Sequence, residues 1–125
     1  MSGRTMSSYG TPRPFDLTGA PSVRLLAHGG WRESGLCRGL ETEWWFAKPT
    51  SARSRGAVTL CERCPVRNAC LAAGLVFGEE FGVWGGVNHL ERRPMVQRLL
   101  GGETLGSVLT SVLGEQVDRP ARKAA

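Results

Sequence analysis

Apolar residues recur at helical spacing in two clear stretches of the chain. Val66, Ala69, Cys70, Ala73 and Val76 or Phe77 follow one another at three- and four-residue steps, with Pro65 suited to a first turn, and predict a helix over about residues 65–77. Leu105, Val108, Leu109, Val112 and Leu113 form an i, i+3, i+4, i+7, i+8 stripe that stops at Gly114, predicting a short amphipathic helix that packs on its own domain. Between them, "GEEFGVWGG" carries four glycines and reads as a turn, after which "NHLERRPMVQRLL" resumes as a helix opening near Asn88, with Pro94 a kink or a restart. On the N-terminal side Ser22 can cap a short turn through Val23, Leu25 and Leu26, ended by Gly29 and Gly30, and a second helical segment is expected over residues 31–37, with Cys37 at its end. "ETEWWFAKP" sets three aromatics ahead of a proline, and "TSARSRG" reads as an exposed basic loop dispensable for folding. No two-residue alternation lasts long enough for a strand.

These patterns predict an all-α protein, a small bundle of short helices. Residues 1–20 lack periodicity and are expected to form a disordered arm, residues 21–100 the main domain, and residues 101–125 the amphipathic helix and a basic tail ending in "DRPARKAA".

Composition limits the core. Of 125 residues, 17 are Gly and 7 are Pro, so much of the chain goes into turns and tails, and small domains of this kind commonly add a disulfide or a metal. The first thirty residues hold no unbroken apolar run of the kind export requires, and residues 69–78, the longest uncharged apolar stretch, fall far short of the roughly 20 residues that span a bilayer. The expectation is a cytoplasmic protein with no membrane partner and no small-molecule substrate. In a reducing compartment, grouped cysteines bind metal or do redox chemistry more often than they form disulfides. The net charge of +5 favours an anionic partner, nucleic acid first. Residues 61–90, at −1, are the one acidic block.

Four cysteines stand at C-x23-C-x2-C-x5-C: Cys37, Cys61, Cys64 and Cys70. Cys61 and Cys64 bracket a turn, Cys70 lies in the predicted helix, and Cys37 must come from elsewhere, so a shared centre would tie distant segments together. Three chemistries compete on spacing alone. Zinc sites of four thiolates usually show two CxxC pairs and here there is one; a dithiol reductase would need a βαβ context that is missing; an iron-sulfur cluster takes irregular spacings. Arg92, Arg93 and Arg98, with Arg119, Arg122 and Lys123 in the tail, are either a solvated helix face or phosphate contacts. His28 and His89 read as ordinary histidines.

"WRESGLCRGLETEWWF", "CERCPVRNACL", "GVWGG" and "ERR", in that order, resemble the WhiB-like family of actinobacterial transcription regulators, which phages of those hosts also carry. The resemblance implies a 4Fe-4S cluster held by Cys37, Cys61, Cys64 and Cys70, around which the bundle is organised. It implies a regulator, not an enzyme, that responds to oxidants or nitric oxide, and whose apo form can close disulfides. It further implies an interface with the principal sigma factor of RNA polymerase at Trp84, on a turn shaped by Gly82, Gly85 and Gly86, and at Trp45 and Phe46 in the aromatic run after the first cysteine, together with promoter DNA as a partner. This chain departs in offering "WWF" where the family usually shows paired phenylalanines, and "DRPARK" lacks the glycine of an AT-hook.

Overall fold

A cap opens almost every helix. The computed structural model describes residues 12–37, 39–40, 42–79 and 81–114. Ser22, Ser51, Asn88 and Thr104 each accept a hydrogen bond from a backbone N–H three residues on, and these caps open α1 (Val23–His28), α2 (Ala52–Cys61), α4 (His89–Leu100) and α5 (Leu105–Leu113). Among the described α-helices only α3 (Arg67–Val76) starts without a side-chain cap. Two 3-10 helices, Trp31–Ser34 and Thr42–Trp44, fill the stretch between α1 and α2. The described residues hold no β-strand, only an isolated bridge between Trp84 and Val87, so the all-α expectation is met. None of the helices is long and apolar enough to cross a membrane.

α3 is the central element. Its buried residues run unbroken from Leu71 to Val76, and it touches α1, α4 and α5. Around it Leu26, Leu71, Leu75, Val76, Leu105, Val108 and Leu109 are fully enclosed. The predicted stripe of α5 points into this cluster as expected, with Val112 at its margin. A second, smaller cluster of Trp45, Ala57, Cys61 and Val83 sits under α2.

The structure departs from the sequence expectations at four places. "TSARSRG" is not a loop: Ser51 caps α2, Ser54 is buried, and the segment forms the first turns of the helix whose Ala57 enters the second cluster. Its small buried residues leave no apolar stripe to read. The predicted helix over residues 31–37 stops at Ser34, because Gly35 is extended, and Cys37 lies in the turn beyond. Pro94 does not restart the helix: α4 runs through it from a capping box formed by Asn88 and Glu91. Finally, the arm expected to be disordered is laid down from residue 12. Arg13 N–H donates to the Val76 carbonyl at 2.8 Å, and the carbonyls of Asp16 and Thr18 accept from the N–H groups of Leu105 and Gly106 at 2.8 and 3.0 Å. The arm thus takes up free groups at the end of α3 and the start of α5. A Cβ on Gly106 would lie 2.7 Å from the Gly19 Cα and the Thr18 oxygen, which is why the two backbones can meet there. The rest of the arm, residues 1–11, and the tail, residues 115–125, lie outside the described residues.

Candidate metal centre

Cys61 closes α2, Cys64 follows in a turn whose N–H returns to the Cys61 carbonyl at 3.0 Å, and Cys70 lies in the first turn of α3. Cys37 arrives from the loop after the first 3-10 helix, which is docked by the Leu36 N–H on the Cys64 sulfur at 3.5 Å. All four thiols line one cavity of about 330 Å³ with mostly apolar walls, among them Leu36, Leu40, Val66 and Val83. The thiols ring this space instead of meeting at a point: among the described residues no three Cys, His, Asp or Glu side chains are gathered tightly enough for a single ion.

The cavity is a poor place for bare thiolates. Burial pushes the Cys70 thiol up to about 12, although the Gly85 backbone amide works the other way. Burial also raises Cys61, against hydrogen bonds from the Trp45 indole and the Gly86 backbone, and raises Cys37, reinforced by the neighbouring Cys64. Positive charge placed among these sulfurs favours their thiolate forms against that burial. Arg32 and Arg67 are the cations on the lining, Arg67 fixed by its Nε on the Gly85 carbonyl at 2.7 Å. The thiol set, its N–H donors and the volume it encloses fit an iron-sulfur group better than a lone ion.

The glycine turn, residues 82–86, covers one side of the cavity. Trp84 and Val87 exchange two backbone hydrogen bonds, at 3.0 and 3.1 Å, which make the turn tight. Gly85 has φ +61°, and a Cβ there would lie 2.7 Å from the Leu71 Cβ and 2.8 Å from the Arg67 carbonyl oxygen, so the turn presses directly on α3. Trp84 is half-buried, with Nε1 on the Phe81 carbonyl at 3.2 Å. Phe46, 55% exposed, and Phe81, 66% exposed, stand outside the same turn. Gly82, Gly85 and Gly86 all take positive φ in it.

Two of the expected surface residues face inward. Trp45 is only 7% exposed and its Nε1 donates to the Cys61 sulfur at 3.3 Å, so it belongs to the wall of the centre and not to an outer face. Arg92, 3% exposed, gives Nη1 to the carbonyls of Gly82 and Val87 at 2.8 and 2.6 Å, and Nη2 to those of Glu79 and Phe81, both at 3.2 Å. It clamps the glycine turn from within, which removes it from the phosphate-contact set. Burial lowers it to about 10, still cationic at neutral pH. Arg98 forms a two-pronged pair with Glu103, at 2.8 and 2.6 Å, and reaches Ser111. Arg93 is exposed; Arg119, Arg122 and Lys123 lie outside the described residues. The roles of Arg92 and of the Trp45 indole were missed on sequence. For Arg92 a signal existed: with Met95 and Leu99 it falls on one buried stripe of α4.

Comparison with known proteins adds an independent line. The family model described as "Transcription factor WhiB" matches residues 31–95. The chain is 33% identical over 96 residues to the redox- and pH-responsive transcriptional regulator WhiB3 of Mycobacterium tuberculosis, covering 72% of this chain and 90% of that protein. It is 38% identical over 72 residues to the transcriptional regulator WhiB1 of the same organism, covering 54% of this chain and 86% of the relative. With the transcriptional regulator WhiB2 of Mycolicibacterium smegmatis it shares 36% identity over 89 residues, 71% of this chain and 64% of the relative.

Proposed function

We propose, from the fact that this chain belongs to the WhiB-like family of actinobacterial transcription regulators, that it binds a 4Fe-4S cluster through Cys37, Cys61, Cys64 and Cys70 and regulates transcription in response to oxidants or nitric oxide. Its relatives are transcriptional regulators. The observation that carries the cofactor reading is the gathering of four thiols from separate elements around one apolar cavity. When bound, an iron-sulfur group supplies one-electron chemistry and reactivity toward oxidants. The chain's own part is to present four sulfurs, to direct N–H groups of Leu36 and Trp45 at two of them, and to limit water with an apolar lining.

The partner reading follows from what stands around the centre. Trp84, held by Arg92 and the glycines of its turn, and the exposed Phe46 form an aromatic anchor for the principal sigma factor, since interface energy concentrates in such residues. Trp45 supports this face from behind. Promoter DNA is met by Arg93 together with Arg119, Arg122 and Lys123 of the tail.

Anaerobic purification with iron, sulfide and zinc analysis tests the cofactor. A brown protein with equal amounts of iron and acid-labile sulfide is expected, and each Cys→Ala variant at the four positions should lose it; a colourless zinc protein overturns the reading. For the partner, Trp84→Ala should weaken retention of the principal sigma factor in a pull-down while iron content stays at the wild-type level. Undiminished retention rejects that interface.

A further inference from the structure

Trp31, Trp45 and Trp84 all border the cavity, but their indoles have different duties. Trp31 Nε1 donates to the Leu26 carbonyl at 2.9 Å and Trp84 Nε1 to that of Phe81 at 3.2 Å, each closing a local backbone turn. Trp45 Nε1 instead makes the one indole-to-sulfur hydrogen bond among the described residues, to Cys61 at 3.3 Å. The same residue's carbonyl accepts from the Val83 N–H at 2.7 Å. Trp45 therefore reaches from a thiol of the centre to the residue before Trp84, inside the small cluster it shares with Ala57, Cys61 and Val83. An indole N–H is a donor only, so its contact with sulfur favours whichever state places more negative charge there.

We infer that Trp45 is a positioning residue for the metal centre: its indole N–H orients the Cys61 sulfur and makes one-electron reduction of the bound iron-sulfur group easier, while its carbonyl holds the Trp84 turn in register with that sulfur. The inference rests on the iron-sulfur reading above. An electron delivered by an external reductant such as dithionite adds negative charge that spreads onto the ligand sulfurs, and a buried N–H dipole aimed at one of them stabilises the added charge. Hydrogen bonds to the sulfurs are among the determinants of such potentials. Trp44 is the internal control. It is the preceding residue in the chain, it is exposed, and it does not border the cavity.

The test compares wild-type, Trp45→Phe and Trp44→Phe chains, purified anaerobically, by iron and sulfide analysis and by dithionite titration with mediators. Phe keeps a ring in the small cluster and leaves the backbone contact with Val83 possible, but removes the donor. The expected result is a Trp45→Phe protein with wild-type iron and sulfide whose equilibrium constant for one-electron reduction falls by about tenfold, a shift of ~59 mV to more negative potential, and a Trp44→Phe protein that titrates like the wild type. An iron-loaded Trp45→Phe protein with an unchanged midpoint overturns the inference. Should that variant not retain iron, reduced wild-type protein carrying indole-15N tryptophan decides: pulsed EPR should resolve a hyperfine coupling to one indole nitrogen, and a spectrum with none overturns it. Wild-type protein devoid of iron and sulfide defeats the iron-sulfur reading itself, and this inference with it, before any variant is made.

Discussion

Arg92 and Arg93 are neighbours in sequence and have opposite fates. Charge gives no hint of this; only the register with Met95 and Leu99 turns Arg92 inward, onto four carbonyls of the glycine turn. Arg92→Ala leaves the Gly82 and Glu79 carbonyls without a donor, while those of Val87 and Phe81 keep their bonds from Trp84; each unsatisfied buried group costs about 1–3 kcal/mol. Even with relaxation a loss of roughly 3 kcal/mol is expected, seen as a fall in the urea midpoint and in Tm. Arg92→Lys, with fewer donors and no planar fork, should recover only part of it. Arg93→Ala should leave stability within about 0.5 kcal/mol and, if the arginine meets phosphate, lower the salt slope of DNA binding by about 1. The four cysteines were legible because sulfur at close spacing has few other uses. The indole on Cys61 was not, since nothing in "WWF" tells which ring turns inward.

Elements with a long apolar stripe or a strong cap could be read directly: α5 from its leucines and valines, the start of α4 from Asn88. α2 could not, because Ser54 and Ala57 do the burying and neither is conspicuous. Its cap is the exposed handle. Ser51→Ala removes the acceptor for the Ser54 N–H and should cost about 1 kcal/mol in chemical denaturation. The turn between α4 and α5 depends on pH. Hydrogen bonds from Arg98, then from Ser107, hold the Glu103 carboxyl down to about 2, against an ordinary value of 4.5. A carboxyl depressed in the folded state adds stability that is complete above its unfolded value and disappears as pH falls toward the folded one. Stability measured by urea between pH 5 and pH 2.5 should therefore fall less steeply in Glu103→Gln than in the wild type. Because the pair is open to solvent, the difference should shrink in high salt.

At the scale of the whole molecule, the described residues form two apolar bodies of unequal strength. The cluster around α3 is fully enclosed and takes in α1, α4, α5 and the arm. The cluster under α2 consists of little more than Trp45, Ala57, Cys61 and Val83, and one of those is itself a thiol of the centre. The cysteine spacing implied that a shared centre would join distant segments, but not that the joined parts differ so much in their own packing, because that difference comes from tertiary burial of short, mixed segments. Cys70 stands on the strong body, Cys61 on the weak one, and Cys37 and Cys64 in turns between elements. The proposed group, bound at all four, would favour the state in which the weak body is closed on the strong one. Removing the metal should thus act unevenly. Hydrogen exchange of apo against loaded protein should show protection lost over residues 35–64 and 82–87, and largely kept in α3 and α5, whose amides report the larger core. The same pattern is expected for Cys61→Ala. A uniform loss across α3 and α5 in either sample would mean that the larger core has no stability of its own, and that the metal supports the entire fold instead of one side of it.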